Sequence, residues 1–130
     1  MHDSLSDITT LDDIRVMVDA FYRRVQEDEL IGPIFNAAIQ DRWPVHLEKM
    51  YGFWQTVLLN ERAYTGSPFP PHAKLPIEKK HFDRWLLLFT TTVDQYFLGD
   101  KATEAKWRAE KMAQMFQIKI DYYKQQASPD

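Results

Sequence analysis

The chain has 130 residues, of which 45% are hydrophobic and 27% charged, a composition typical of a soluble globular protein with one domain. Its net charge of −3 argues against nucleic acid as the main partner, because phosphate binding requires a basic surface. The sequence contains no cysteine, which excludes disulfides, thiolate-zinc sites and Cys-ligated iron–sulfur clusters.

The expected location is the cytoplasm. The stretch MHDSLSDITTLDD is acidic and lacks the apolar centre of a signal peptide. The longest uncharged stretches, MYGFWQTVLLN and WLLLFTTTV, are shorter than the ~18 residues that a membrane span requires. We therefore expect no membrane partner and one domain over residues 1–130, frayed at residues 1–9 and 126–130.

The first of four predicted helices begins after Thr10, with Asp13 three residues on in a capping-box arrangement. It is predicted to end near the GPIF stretch, where Gly32 and Pro33 break the pattern and Phe35 follows at the corner. Tyr22 lies at the flank of its apolar face. That face contains Ile14, Val18, Phe21 and Val25.

The second helix is predicted to begin at the WPVH stretch, with Pro44 suited to the first helical position, and to fade at NERAYTG. The residues on its apolar face are His46, Met50, Phe53 and Val57, with Trp54 at the edge. The next stretch, SPFPPHAKLP, contains four prolines and cannot continue a long helix. This stretch is the stiffest segment of the chain, and it contains His72, one of the four histidines.

The third helix is predicted over roughly residues 77–97, with Trp85 beside its buried stripe. That stripe contains Phe82, Leu86, Phe89 and Val93. Gly99 is predicted to end this helix, and the fourth is predicted from about residue 101 to residue 124. No stretch alternates for long with period two, so no sheet is expected and the predicted fold class is all-α.

Two histidines lie at positions where an imidazole ring could bind a metal or another ligand. His46 begins an apolar helical face, and His72 lies 26 residues later in the proline-rich segment. A planar iron porphyrin fits between them in a chain with 14% aromatic residues, and imidazole binds haem iron. For each histidine a solvent-exposed ring is the plainer interpretation, and the residues alone leave both open.

Several stretches follow one another in a specific order and spacing. They are the pair Phe21-Tyr22, GPIFN at 32–36, WPVHLEKMYGFW at 43–54, YTGSPFPPHAKLP at 64–76 and HFDRWLLLF at 81–89. Together they resemble the group III truncated haemoglobins, small bacterial globins that, like this chain, lack diglycine motifs. The resemblance covers almost the whole chain. It implies a truncated globin-like two-over-two helical sandwich around haem b (iron protoporphyrin IX).

By this resemblance His72 is the proximal ligand, with one ring nitrogen on the haem iron. On the distal side the resemblance names Tyr22, His46 and Trp85. Tyr22 can donate its O–H and Trp85 its N–H to a bound gas. The alternative for Tyr22 is a tyrosine at the edge of the core with a backbone partner, and the alternative for Trp85 is plain core packing. His46 fits three roles: a gate that swings, a donor to the ligand, or a sixth ligand of the iron.

Further residues are expected to contact the haem. Those interpreted as pocket wall or core are Phe35, Met50, Phe53, Trp54, Phe82 and Phe89. Those placed to pair with haem propionates are Lys49, Lys79, Lys80 and His81, although a charged cluster at a helix start is usually solvated.

The implied function is the binding of O2, NO and CO at one iron, with cyanide and peroxide as further candidate ligands. Tight distal hydrogen bonding favours O2/NO or peroxide chemistry over bulk O2 transport. Turnover as an NO dioxygenase or in peroxidase-like chemistry would need an external reductase. No distal arginine is apparent, which argues against efficient peroxidase action. The expected oligomeric state is a monomer or weak dimer.

Two alternatives remain open from the sequence. The first is a haem-free globin-like helical interaction or sensor domain, in which the aromatic residues fill the core. The second and weaker one is a non-haem iron or zinc site, for which the sequence shows no helical pairing of histidine with carboxylate.

Overall fold

The structure, a computed structural model, describes residues 5–63 and 76–127. His72 and the prolines before it lie outside the described residues. The helices in the described part are α1 (Leu11–Glu27), α2 (Gly32–Ile39), α3 (Trp43–Leu59), α4 (Lys79–Tyr96) and α5 (Asp100–Ala127), with a 3₁₀ turn at Gln40–Arg42. Within those residues the only strand-like pairing is one isolated bridge between Ser6 and Phe97, which confirms the all-α prediction.

Helix α1 begins where the capping box predicted. The Thr10 hydroxyl accepts from the backbone N–H of Asp13 at 3.2 Å, and the Asp13 carboxylate accepts from the backbone N–H of Thr10 at 3.1 Å. Each side chain thereby satisfies a donor that the first turn of a helix leaves open. The residues of the predicted apolar face are all buried: Ile14, Val18, Phe21 and Val25.

The segment after α1 corrects the prediction of a single helix that ends at GPIF. Helix α1 already ends at Glu27, and the carboxylate of Asp28 accepts from the backbone N–H groups of Leu30 at 3.0 Å and Ile31 at 2.9 Å. Pro33 lies in the first turn of α2, where its fixed φ suits a helix and its missing N–H is not needed. The proline therefore begins a helix here and does not end one.

Helix α3 begins at Trp43 with Pro44 in its first turn, as predicted. It ends at Leu59, and Asn60 follows in the left-handed region with φ 58°, a conformation that asparagine tolerates. The chain then passes back across Gly52. A Cβ on Gly52 would lie 2.5 Å from the carbonyl oxygen of Ala63, so only glycine permits this close approach.

Helices α4 and α5 are joined by three residues and pack against each other as an antiparallel pair. Helix α4 lies within the predicted span of 77–97, and α5 continues to Ala127, three residues beyond its predicted end. Gly99 adopts φ +146°, and a Cβ there would meet the side chain of Asp7 at 2.5 Å. Helix α4 already ends at Tyr96, so Gly99 does not end it as predicted; glycine is required there, just before α5, for both conformational and steric reasons.

The described part of the N-terminal segment packs against the rest of the fold. Ile8 is fully buried, and the backbone N–H of Leu98 donates to the carbonyl of Ser6 at 3.0 Å. The Asp7 carboxylate accepts from the backbone N–H groups of Lys101 at 2.9 Å and Ala102 at 2.8 Å. It therefore caps the start of α5, since the first N–H groups of a helix have no partner within the helix.

The hydrophobic core is divided into two clusters. Helix α1 packs on α3 and on α4, and their contacts contain the main core cluster, which includes Ile14, Phe21, Trp54 and Phe89. The small core cluster consists of Ile77, Phe82, Ala113, Phe116 and Ile120. Trp85 packs against both clusters. No helix in the described part of the chain has the length and apolar character needed to cross a membrane.

Candidate functional site

A cleft separates the main core cluster from the small core cluster. It contains about 810 Å³ of empty space, counting its mouth toward solvent. The residues that line it are Phe21, Tyr22, Ile31, Phe35, His46, Met50, Phe53, Trp54, Ile77, His81, Phe82, Trp85, Met112, Ala113 and Phe116. Ten of these are Phe, Ile, Met or Ala, so the walls are mainly apolar and contain few polar groups.

Tyr22 and His46 form one polar part of the cleft wall. Their rings meet edge to face with centroids 5.0 Å apart, and Trp43 lies against both, at 5.7 Å from Tyr22 and 5.6 Å from His46. Tyr22 is buried, and this burial raises the pKa of its phenol well above the ordinary value. The Nε2 atom of His46 is shielded from solvent. Both polar groups therefore lie in an environment where hydrogen bonds are strong.

The plane of the Trp85 ring is fixed by two neighbouring aromatic rings. Its ring stacks on Phe89 with centroids 5.8 Å apart and planes at 6°, and it meets Phe21 edge to face at 5.5 Å. Trp54 stacks on the same Phe89 ring at 5.1 Å. These contacts restrict the direction in which the indole N–H of Trp85 can point.

His81 has a structural role as well as a place in the cleft wall. Its Nδ1 accepts from the backbone N–H of Glu78 at 2.8 Å and so completes a capping box at the start of α4. A neutral imidazole that accepts at Nδ1 carries its proton on Nε2. The ring therefore has one N–H group left to donate.

The structure brings most of the predicted site residues together. The predicted residues that line the cleft are Tyr22, Phe35, His46, Met50, Phe53, Trp54, His81, Phe82 and Trp85. Phe89 does not line it: this ring is 1% exposed and lies behind Trp85 and Trp54. The lining also lacks three exposed lysines that were predicted near the haem, namely Lys49, Lys79 and Lys80. Lys79 pairs instead with Asp83 at 2.8 Å.

Sequence reasoning missed several wall residues. Those not named in advance are Phe21, Ile31, Ile77, Met112, Ala113 and Phe116. Helical periodicity had placed Phe21 on the apolar face of the first helix, but a periodic pattern does not separate a residue in a packed core from one at an internal cleft. Trp43 was also missed, although its position three residues before His46 on a helix could have suggested the contact.

Three comparisons with known proteins point to one family. Residues 6–120 match the family described as bacterial-like globin. The Group 3 truncated hemoglobin ctb of Campylobacter jejuni is 33% identical over 114 residues, which are 85% of this chain and 90% of that protein. The crystal structure of group III truncated hemoglobin from Campylobacter jejuni has a TM-score of 0.82 at 30% identity and covers 90% of this chain and 95% of that chain. The chain therefore belongs to the bacterial-like globin family and, within it, to the group III truncated haemoglobins.

Proposed function

We propose that the cleft binds haem b and that the protein binds O2 and other diatomic gases at the haem iron. The observation that carries this proposal is a cleft that divides the core and has mainly apolar walls. Protein interiors are otherwise close-packed, so an apolar cleft between two core clusters indicates a ligand. Flat aromatic side chains suit the faces of a porphyrin, and membership of a globin family supports this choice of ligand.

His72 is the proposed proximal ligand of the iron. Ile77, which lines the cleft, is five positions further along the chain, and a chain of five residues reaches at most ~18 Å. The segment that carries His72 is therefore tethered directly to the cleft wall. Its prolines reduce the number of conformations available to the unfolded segment and so favour one placement of the ring.

When bound, haem would supply an iron that takes a diatomic gas as a ligand. Tyr22 is the proposed main donor to that ligand, because it is buried, lines the cleft and carries an O–H group. Trp85 is the proposed second donor, since an indole N–H can only donate. His46 shares the wall with Tyr22 and is the third candidate.

Tight hydrogen bonding to the gas slows its release, which favours O2/NO or peroxide chemistry over bulk O2 transport. The described residues that line the cleft include no arginine, so the donors available there are a phenol, two imidazoles and two indoles. Repeated turnover would need electrons from an external reductase.

The proposal is tested by expressing the chain with adequate haem and recording the absorption spectrum of the purified protein. We expect a red protein with a Soret band. His72→Ala should lose most of the haem, whereas alanine at Glu110, an exposed residue of α5 outside the cleft lining, should keep it. A colourless protein that stays colourless with added haemin would instead favour the haem-free interaction or sensor domain.

A further inference from the structure

An ion pair joins two walls of the cleft from outside. Nη1 of Arg84 on α4 lies 2.7 Å from Oδ1 of Asp28, in the turn between α1 and α2. The Asp28 side chain is only 8% exposed and that of Arg84 is 40% exposed, so the pair is partly buried. Such a pair is less screened by water and salt than one on the open surface.

The two oxygens of Asp28 serve different partners. Oδ2 accepts from the backbone N–H groups of Leu30 and Ile31 and so shapes the turn into α2, whereas Oδ1 accepts from Arg84. The turn is thus organised by one oxygen and attached to α4 by the other. A change at Arg84 would break the attachment and leave the hydrogen bonds of the turn in place.

Each end of this ion pair is next to a wall residue of the cleft. Ile31, which donates to Asp28, lines the cleft, and so does Trp85, the neighbour of Arg84 on α4. A second link between α1 and α4 lies further along: Arg24 donates to Thr92 at 2.8 Å and to Gln95. Of these two links, the ion pair between Arg84 and Asp28 is therefore the one that lies in the same half of α4 as Trp85.

We propose that Arg84 and Asp28 are positioning residues, which set the separation of the two cleft walls and hold the Trp85 indole in its direction. The inference rests on the proposed function, in which Trp85 donates to the bound gas. Neither Arg84 nor Asp28 lines the cleft, so they act on the gas only through Trp85 and its neighbours.

The test compares Arg84→Met with Lys79→Met. Lys79 is on the same helix and its pair with Asp83 is exposed, so the control removes an equal charge without disturbing a wall of the cleft. Arg84→Met should speed O2 dissociation about fivefold, as expected from weakening one hydrogen bond, and Lys79→Met should stay within about twofold of the unsubstituted protein. Arg84→Lys, which keeps the charge, should restore most of the slow release.

A double-mutant cycle then asks whether Arg84 acts through Trp85. In a Trp85→Phe background, Arg84→Met should change O2 dissociation by less than about twofold. An undiminished fivefold effect in that background would overturn the proposal, and so would an O2 dissociation rate in Arg84→Met equal to that of Lys79→Met. Arg84→Gln removes the charge and gives the same comparison if the methionine variant does not fold.

A measurement without haem separates this inference from the proposed function. The chain has four tryptophans, so 5-fluorotryptophan labelling gives four ¹⁹F resonances, and Trp85→Phe identifies one of them. In the haem-free protein Arg84→Met should move or broaden the Trp85 resonance and leave that of the exposed Trp107 in place. An unchanged Trp85 resonance would overturn the positioning role even if the protein binds haem. Failure to bind haem would overturn the proposed function alone.

Discussion

Replacing Tyr22 by phenylalanine removes one hydroxyl from the cleft and leaves the ring. In the structure this ring is 6% exposed and packs against Phe21 at 4.7 Å, His46 at 5.0 Å and Trp43 at 5.7 Å, contacts that phenylalanine can keep. The substitution therefore removes a hydrogen-bond donor with little change in packing. Loss of a hydrogen bond of ~1.4 kcal/mol to the bound gas corresponds to about tenfold faster O2 dissociation.

The rate is measured by stopped-flow replacement of O2 with CO. Tyr51→Phe is the matched control, because the Tyr51 hydroxyl donates to Asp19 and the residue does not line the cleft. Its O2 dissociation should stay within about twofold of the unsubstituted protein. If Tyr22→Phe releases O2 no faster than Tyr51→Phe does, Tyr22 is not a donor to the gas.

Three further predictions concern stability and the distal histidine. Asp7→Ala removes the cap of α5 and should lower the free energy of unfolding by about 1–2 kcal/mol, or Tm by roughly 3–10 °C as measured by circular dichroism. Alanine at the exposed Asp12 is the control and should change Tm little. Equal Tm values for the two variants would contradict the capping role. Burial alone would raise the pKa of Asp7, Asp13 and Asp28, but hydrogen bonds from backbone N–H groups hold the pKa of each carboxyl below its ordinary value. Their contribution to stability is therefore complete above about pH 4 and lost as the pH falls through the folded-state pKa values, so the urea midpoint should fall only in that acidic range. The ferric protein should be high-spin both before and after His46→Leu, because Tyr22 and Trp43 hold the imidazole in the cleft wall. A low-spin spectrum that becomes high-spin on this substitution would instead make His46 the sixth ligand of the iron.

The parts of the fold that were predicted correctly are those determined by residues close together in the chain. Thr10 and Asp13 form their capping box within four residues, so the start of α1 could be read locally. The attachment of the N-terminal segment could not be predicted locally, because Asp7 binds the backbone of Lys101, which lies 94 residues later in the chain. Pro33 was ambiguous, since proline can end one helix or begin another, and the Asp28 carboxylate decides between them through hydrogen bonds to the turn.

The limits at the site are illustrated by two phenylalanines on one helical stripe. Phe82 and Phe89 are seven residues apart and share a face of α4, but they lie about 10.5 Å apart along its axis. The cleft opens at the height of Phe82, whereas Phe89 is covered by Trp85 and Trp54. Periodicity gives the face of a helix, and only the placement of the other helices gives the height at which the core is open.

The most direct test of the account is a titration of the haem-free protein with haemin. Trp54 and Trp85 line the cleft, so bound haem should quench their fluorescence while a Soret band grows. We predict that both signals saturate together at one haem for each chain. Unchanged fluorescence and the spectrum of free haemin at all ratios would contradict the claim that this cleft is a haem pocket.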